Sequence, residues 1–273
     1  MDEHPQAHAE PADAEPHALD PASTAPAPVK VARLWPVVSG GAALALVVVL
    51  AFVIFYRERD KPFGFEVEYM AGLAANRADW LTTPALVFNA IGGGLLSTFA
   101  VPAVIIGGLL LFRRPWAAGY YLAATIASAT VTRVIKVMVA RPRPEEILVQ
   151  PDFGSFPSGH SANAAVTAAA LGLIFLRTWV WVTGAIYTLL MMLSRTYLGA
   201  HWISDTIGGL LVGAGVAVII WAPFANKLYR EHRMPHPPIW VRARHPSEAV
   251  SAPAGVPAGA PDRSPGDSGS TGG

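Results

Sequence analysis

The chain contains one uninterrupted apolar run, AALALVVVLAFVIF, at Ala42–Phe55. A transmembrane α-helix needs about 20 mostly apolar residues, and the flanking residues extend this run to Trp35–Tyr56. The composition agrees, because 52% of the 273 residues are hydrophobic and only 14% are charged. A soluble domain carries roughly 25% charged residues. The sequence therefore predicts an integral membrane protein whose first span is Trp35–Tyr56.

Further apolar segments of membrane-spanning length follow along the chain. They lie at Leu95–Phe112, Trp116–Val139, Ser161–Leu176, Trp179–Leu198 and Ile203–Phe224. The predicted fold class is all-α: a polytopic membrane helical bundle with six transmembrane helices over residues 35–225. Pro102, inside the second segment, predicts a kink. Because the first apolar run begins only at residue 35, we expect a membrane anchor and not a cleaved signal peptide.

The two ends of the chain differ from the middle in composition. Residues 1–34 are rich in Ala, Pro, Asp, Glu and His, and residues 226–273 are basic at first and then rich in Pro, Ala and Gly. Such segments cannot bury enough apolar surface to fold, so both are expected to be disordered tails. The chain has no cysteine, which excludes disulfides and thiolate zinc sites.

Basic residues between the apolar segments predict the orientation, because they favour the cytoplasmic side. If the spans alternate, one side carries Lys30, Arg33, Arg113, Arg114, Arg177, Lys227, Arg230 and Arg233. That side is predicted to be the cytoplasm, with both termini in it and the protein in the inner (plasma) membrane. Arg57, Arg59 and Lys61 fall on the opposite side and oppose this assignment.

Three polar clusters interrupt the apolar sequence. They are Lys136–Pro144, Pro157–His160 and Ser194–Asp205, and the predicted topology places all three on the extracytoplasmic face. Charge at membrane depth is costly and is kept mainly for function. A set of cations and imidazoles predicts a site that binds a phosphate and attacks it.

The third cluster holds a histidine and a carboxylate at helical spacing. His201 and Asp205 are four residues apart, which places both side chains on one face of a helix. A carboxylate behind an imidazole fixes its tautomer and stabilises the imidazolium; the alternative is a pair that only caps the helix. Arg195 offers a planar fork of donors that suits phosphate, or it is an interfacial arginine that snorkels to the membrane surface.

The second cluster leads directly into the fourth predicted span. Ser158 suits a helix N-cap, and Gly159 lets the backbone approach a ligand closely. His160, at the start of the helix, is placed as a general acid for a leaving oxygen. The alternative is a proline turn followed by a capping serine.

The first cluster brackets the outer end of the third predicted span with Lys136 and Arg143. Arg141 forms a competing Arg-Pro pair, and Arg133 lies about one helical turn before Lys136. Whether Arg133 or Arg141 joins the site stays open at this point.

The outer loop after the first span contains a further helical pattern. Ala78–Ile91 predicts a helix that either lies at the membrane interface or packs over the bundle. The triplet Gly92–Gly94 lacks the Lys-Ser/Thr of a nucleotide-binding loop, so it is interpreted as a flexible joint.

The ordered set of clusters resembles the signature of the type 2 phosphatidic acid phosphatase (PAP2) superfamily. That signature reads Lys-x6-Arg-Pro, Pro-Ser-Gly-His and Ser-Arg-x5-His-x3-Asp, and its spacing selects Arg143 over Arg141. The resemblance implies that His201 attacks phosphorus and forms a phosphohistidine, that Asp205 orients His201, and that His160 protonates the leaving oxygen. It also implies a phosphate-binding set, which is Lys136, Arg143, Ser158, Gly159 and Arg195.

The function implied by the resemblance is hydrolysis of a lipid phosphate or diphosphate at the outer membrane face, with no metal and no cofactor. A polyprenyl diphosphate such as undecaprenyl or decaprenyl diphosphate is the favoured substrate, and phosphatidic acid and phosphatidylglycerol phosphate are the others. The alternatives are a lipid phosphotransferase that uses the same site and a non-catalytic membrane lipid-binding protein. The net charge of +1 gives no general attraction to nucleic acid, and the oligomeric state stays open.

Overall fold

The computed structural model describes residues 31–57, 61–150 and 152–241, with side chains from residue 34 onward. Within these ranges every regular element is helical, so the predicted all-α class is confirmed. The elements are α1 (Val31–Tyr56), α2 (Gly64–Ala75), α3 (Asp79–Gly92), a π-helical turn (Leu96–Ala100), α4 (Val101–Leu111), α5 (Pro115–Val139), α6 (Gly159–Phe175), α7 (Thr178–Tyr197) and α8 (Ile203–His232). Most of the two predicted tails lies outside the described residues.

The six-span prediction is supported only in part. In the described residues, α1, α5 and α8 are long and apolar enough to cross a membrane. A fourth span results if α3 and the bent helix that follows it count together, and α6 is apolar but shorter. Few residues of the apolar stretch of α1 are buried inside the protein, as expected for a peripheral helix that faces lipid.

Both predicted boundaries of the helical domain are displaced toward the ends of the chain. α1 begins at Val31, inside the predicted N-terminal tail, and α8 continues to His232, beyond the predicted boundary at residue 225. A buried carboxylate explains the second difference. Glu231 is 3% exposed and accepts hydrogen bonds from the backbone amides of Trp116 (2.8 Å) and Ala117 (3.0 Å). The last turn of α8 therefore caps the first turn of α5.

A sharp bend separates α3 from the second predicted span. α3 and the helical segment Leu96–Leu111 meet at an angle of 52°, and the break falls at the glycine triplet, where Gly94 has a φ of +62°. Pro102 directly follows the π-helical turn Leu96–Ala100 within the continuous helical segment Leu96–Leu111. The predicted kink at Pro102 itself stays a prediction.

α8 is the central helix, and it packs against α6, α1 and α5. Its approach to α6 is close because glycine leaves room: a Cβ on Gly213 would lie 2.2 Å from the carbonyl oxygen of Ala162. Tyr120 of α5 donates its hydroxyl to the carbonyl of Ala217 at 2.9 Å. α7 packs on α6 and α3. This packing brings the ends of α5, α6, α7 and α8 that carry the polar clusters to one end of the bundle.

Candidate active site

His201 lies in the short turn between α7 and α8, and its side chain is 1% exposed. Its Nε2 is 3.2 Å from Nη1 of Arg143, and its Nδ1 is 3.6 Å from Oδ2 of Asp205. A guanidinium only donates hydrogen bonds, so Nε2 must carry the lone pair and Nδ1 the proton. The proton faces the carboxylate, and the lone pair faces the cations.

The electrostatic surroundings keep His201 neutral. Burial, together with the positive charges of Arg143, Arg195 and Lys136, holds the pKa of the His201 imidazole well below its usual value of 6.5. At neutral pH the Nε2 lone pair is therefore available for attack on an electrophile.

Asp205 acts both as a helix cap and as the partner of His201. Its Oδ2 accepts the backbone amide of Trp202 at 2.9 Å, which satisfies a free donor at the start of α8. Its Oδ1 accepts Nη1 of Arg141 at 2.7 Å. The capping role is therefore present. At 3.6 Å from Oδ2, Nδ1 of His201 makes no hydrogen bond, so orientation of the imidazole by Asp205 stays a prediction.

Lys136 and Arg143, the two cations of the first cluster, converge on a carboxylate that the sequence did not single out. Nζ of Lys136 donates to Oδ2 of Asp152 at 3.1 Å, and Nη2 of Arg143 donates to Oδ1 of the same carboxylate. Both cations also donate to the carbonyl oxygen of Gly154, at 3.2 and 2.8 Å. Burial alone would raise the pKa of Asp152, but the charges of Lys136 and Arg143 outweigh it and lower that pKa.

Arg195 and His160 meet at Asn89, near the C-terminal end of α3. Nη1 of Arg195 donates to Oδ1 of Asn89, and Nε2 of His160 is 3.3 Å from the backbone carbonyl of Asn89. Gly93 allows this contact, since a Cβ there would lie 2.3 Å from Nε2 of His160. The helix predicted at Ala78–Ile91 is therefore confirmed as α3, and it packs over the bundle as a wall of the site.

Ser158 is the predicted N-cap of α6, and the structure confirms it. Its Oγ accepts the backbone amide of Ser161 at 3.4 Å, and Gly159 is the first residue of the helix. The amide of Ser158 donates to the carbonyl of Asp205 at 2.9 Å. This bond joins the start of α6 to the start of α8 and brings His160 and His201 to the same end of the bundle.

The structure distinguishes Arg133 from Arg141, the two arginines whose contact with the site the sequence did not decide. Arg133 is exposed on α5, whereas Arg141 is 2% exposed and bonded to Asp205. Three further residues reach the polar clusters and were missed from the sequence: Glu66, Asn89 and Asp152. Only Asp152 carried a usable signal, as an acidic residue in the loop between two cations and the His160 cluster.

No group of three or more His, Asp or Glu side chains that could hold a metal is found among the residues that the structure describes. The charge close to His201 comes from Lys136, Arg143 and Arg195.

Residues 117–229 match the sequence profile of the PAP2 superfamily. The matched segment, 113 of the 273 residues, resembles the PAP2 superfamily. It is 28% identical over 149 residues to phosphatidylglycerophosphatase B of Bacillus subtilis, covering 50% of this chain and 72% of that protein. It is 29% identical over 184 residues to undecaprenyl-diphosphatase of Sulfolobus acidocaldarius, covering 64% of this chain and 86% of that protein.

A solved PAP2 structure shares the fold of this chain. The crystal structure of the first transmembrane PAP2 type phosphatidylglycerolphosphate phosphatase from Bacillus subtilis superposes with a TM-score of 0.60 at 22% identity. The superposition covers 69% of this chain and 96% of the solved chain. Together with the profile match, these relatives indicate a phosphatase that resembles the PAP2 type, and the long apolar helices are those of a membrane protein.

Proposed function

We propose that this chain hydrolyses a membrane lipid phosphate or diphosphate through a phosphohistidine at His201, with no metal. The observation that carries the proposal is the orientation of His201: its Nε2 lone pair faces Arg143 at 3.2 Å, and its Nδ1 faces Asp205 at 3.6 Å. A buried neutral imidazole with a carboxylate behind it and cations in front of it suits attack on a phosphorus atom.

In the first step, Nε2 of His201 forms a bond to the terminal phosphorus, and the bond from that phosphorus to the leaving oxygen breaks. The leaving group is the lipid monophosphate when the substrate is a diphosphate and the lipid alcohol when it is a monophosphate. His160 gives its proton to that oxygen, while Asp205 stabilises the positive charge on His201. Lys136, Arg143 and Arg195, with Ser158 and the backbone of Gly159, hold the phosphoryl oxygens. In the second step, water attacks the phosphohistidine, His160 takes the proton of the water, and the P–N bond breaks to release phosphate.

The favoured substrate is a polyprenyl diphosphate such as undecaprenyl or decaprenyl diphosphate. Its hydrolysis would give the lipid monophosphate and inorganic phosphate. Similarity over 86% of the undecaprenyl-diphosphatase of Sulfolobus acidocaldarius supports this choice. Similarity to a phosphatidylglycerophosphatase keeps phosphatidylglycerol phosphate as a candidate, and phosphatidic acid is the third.

The proposed topology has six spans formed by α1, α4, α5, α6, α7 and α8, within a domain at residues 35–225 and its short helical extensions. Both termini are cytoplasmic, and the polar clusters lie on the extracytoplasmic face of the inner membrane. Support comes from the basic residues at the opposite end of the bundle, which include Arg114, Arg177 and Lys227.

The test is release of inorganic phosphate by the purified protein in EDTA, measured on each of the three lipids. We expect one lipid to be hydrolysed much faster than the others, and we expect His201→Ala to abolish its hydrolysis. A strict requirement for a divalent metal, or full activity of His201→Ala, would overturn the mechanism. A labelled donor tested with candidate lipid acceptors distinguishes phosphotransfer, in which the label moves to lipid, from hydrolysis.

A further inference from the structure

Asp205 belongs to a buried ion cluster whose three members come from different parts of the chain. Arg141 donates from Nη2 to Oε2 of Glu66 and from Nη1 to Oδ1 of Asp205, both at 2.7 Å. The side chains of Glu66, Arg141 and Asp205 are 0%, 2% and 0% exposed. We call these three residues the Glu66–Arg141–Asp205 cluster.

Ser204 completes the hydrogen bonds of this cluster. Its hydroxyl donates to Oε1 of Glu66 at 2.6 Å and accepts Nη1 of Arg141 at 2.7 Å. The backbone amide of Ser204 also donates to Oε1 of Glu66, at 2.9 Å. Glu66, from α2, is thereby tied to the first turn of α8, directly beside Asp205.

The geometry decides which oxygen of Asp205 meets His201. Oδ1 is occupied by Arg141, and Oδ2 is left toward Nδ1 of His201. Loss of Arg141 would weaken the hold on the carboxylate and leave it only neutral partners, the amide of Trp202 and the hydroxyl of Ser155. Orientation of a catalytic group through a partner that never touches the substrate is common in enzyme sites.

Glu66 changes the net charge of the cluster. Glu66 and Asp205 each carry one negative charge and Arg141 carries one positive charge, so the cluster has one net negative charge. With Glu66 neutral, Arg141 and Asp205 would cancel each other, and the cluster would stabilise the positive charge on His201 less. Screening is weaker at a buried site than at the protein surface, so the change in net charge acts on His201.

We infer that Glu66 and Arg141 are positioning residues for the His201–Asp205 pair. Arg141 sets the rotamer of Asp205, and Glu66 balances the charge of Arg141 so that Asp205 remains an effective anion. This inference rests on the proposed function, in which positive charge builds on His201 as the P–N bond forms.

The experiment compares Glu66→Gln with wild type in phosphate release. We expect kcat to fall about tenfold to a hundredfold, the range observed when partners that orient active-site ligands are removed. KM should be unchanged, because Glu66 does not bind the phosphate. Glu68→Gln is the matched control, since Glu68 lies on the same helix and is exposed, and it should retain the wild-type kcat.

A double-mutant cycle separates positioning from general damage to the structure. If Glu66 acts through Asp205, then Glu66→Gln should lower kcat no further in an Asp205→Asn background. Wild-type kcat in Glu66→Gln would overturn the inference, and so would an equal further loss in the Asp205→Asn background. Failure of the proposed function is distinguishable, because it would leave His201→Ala active.

A second variant covers the case in which Glu66→Gln does not fold. Ser204→Ala removes the hydroxyl between Glu66 and Arg141 and leaves all three charges in place. Its kcat should fall about threefold to tenfold, on the scale of one buried hydrogen bond, with KM unchanged. A wild-type kcat in Ser204→Ala, with the thermal unfolding midpoint retained, would overturn the inference in that case.

Discussion

The carboxylate of Asp152 lies 3.1 Å from the ammonium nitrogen of Lys136, and it also pairs with Arg143. These two cations belong to the proposed phosphate-binding set. A carboxylate that bridges both of them carries the charge and oxygen atoms that a phosphate would bring to the same donors. Binding of a phosphate therefore has to displace Asp152 or share the two cations with it.

Asp152→Asn should strengthen binding of phosphate. The side chain of Asp152 is 67% exposed, and an exposed ion pair contributes up to about 1 kcal/mol, which corresponds to about fivefold in affinity. Inhibition of hydrolysis by inorganic phosphate should shift to about fivefold lower concentration. Glu145→Gln, an exposed change in the same loop, is the control. An inhibition constant that stays the same or rises would contradict the proposed competition.

Asp205→Asn should lower kcat by about a thousandfold or more, the scale seen when the carboxylate behind a catalytic histidine is lost. The amide cannot stabilise a positive His201, and its NH2 group can turn toward Nδ1. The measurement is single-turnover phosphate release, with the thermal unfolding midpoint recorded in parallel. A loss of less than tenfold in a folded protein would remove Asp205 from the proposed mechanism.

The low pKa of His201 links stability to pH. In the unfolded chain the imidazole titrates near 6.5, whereas burial and the neighbouring cations keep it neutral in the folded protein at that pH. Below pH 6.5 the unfolded chain binds a proton that the folded protein does not, so the free energy of unfolding falls as the pH is lowered. Between about pH 7.5 and pH 5, a range that includes the ordinary histidine pKa of about 6.5, the thermal unfolding midpoint should decline less steeply in His201→Gln than in wild type. An identical slope would contradict this assignment.

Gly93→Ala should displace His160 without unfolding the bundle. The added Cβ would lie 2.3 Å from Nε2 of His160, so the imidazole must move, and misplacement of a catalytic group by 1 Å can lower the rate about a hundredfold. Gly107→Ala is the control, because a Cβ at Gly107 meets nothing within 4 Å. The measurement is kcat on the preferred lipid, and equal activity of the two variants would show that His160 is not the proton donor.

Single cysteines in this cysteine-free chain test the proposed topology. Gln150 lies in the loop between α5 and α6, and Met234 follows α8; both are exposed. A membrane-impermeant maleimide added to intact cells should label Gln150→Cys, and it should label Met234→Cys only after the cells are opened. Labelling in the reverse order would place the site in the cytoplasm.

Apolar sequence runs predicted some of the membrane-spanning helices better than others. The pattern located α1, α5 and α8 well, because long apolar runs leave a helix as the only structure that satisfies its backbone in a membrane. The short α6 and the bent helix after α3 are different, since their apolar residues serve packing as well as burial in lipid. Length and composition do not separate these two roles.

The sequence by itself predicted the reactive residues. The spacings of Lys136, Arg143, His160, His201 and Asp205 are local, and each side chain has a chemistry that only a few sites use. Tertiary structure decided how these residues are held. Glu66 and Asn89 come from segments with no distinctive spacing, and they act through contacts with residues far away in the chain. Asp152 lies closer to its partners, 16 residues from Lys136 and 9 from Arg143. Pairing of buried charges depends on which helices pack together, and helix packing brought Glu66 to Arg141.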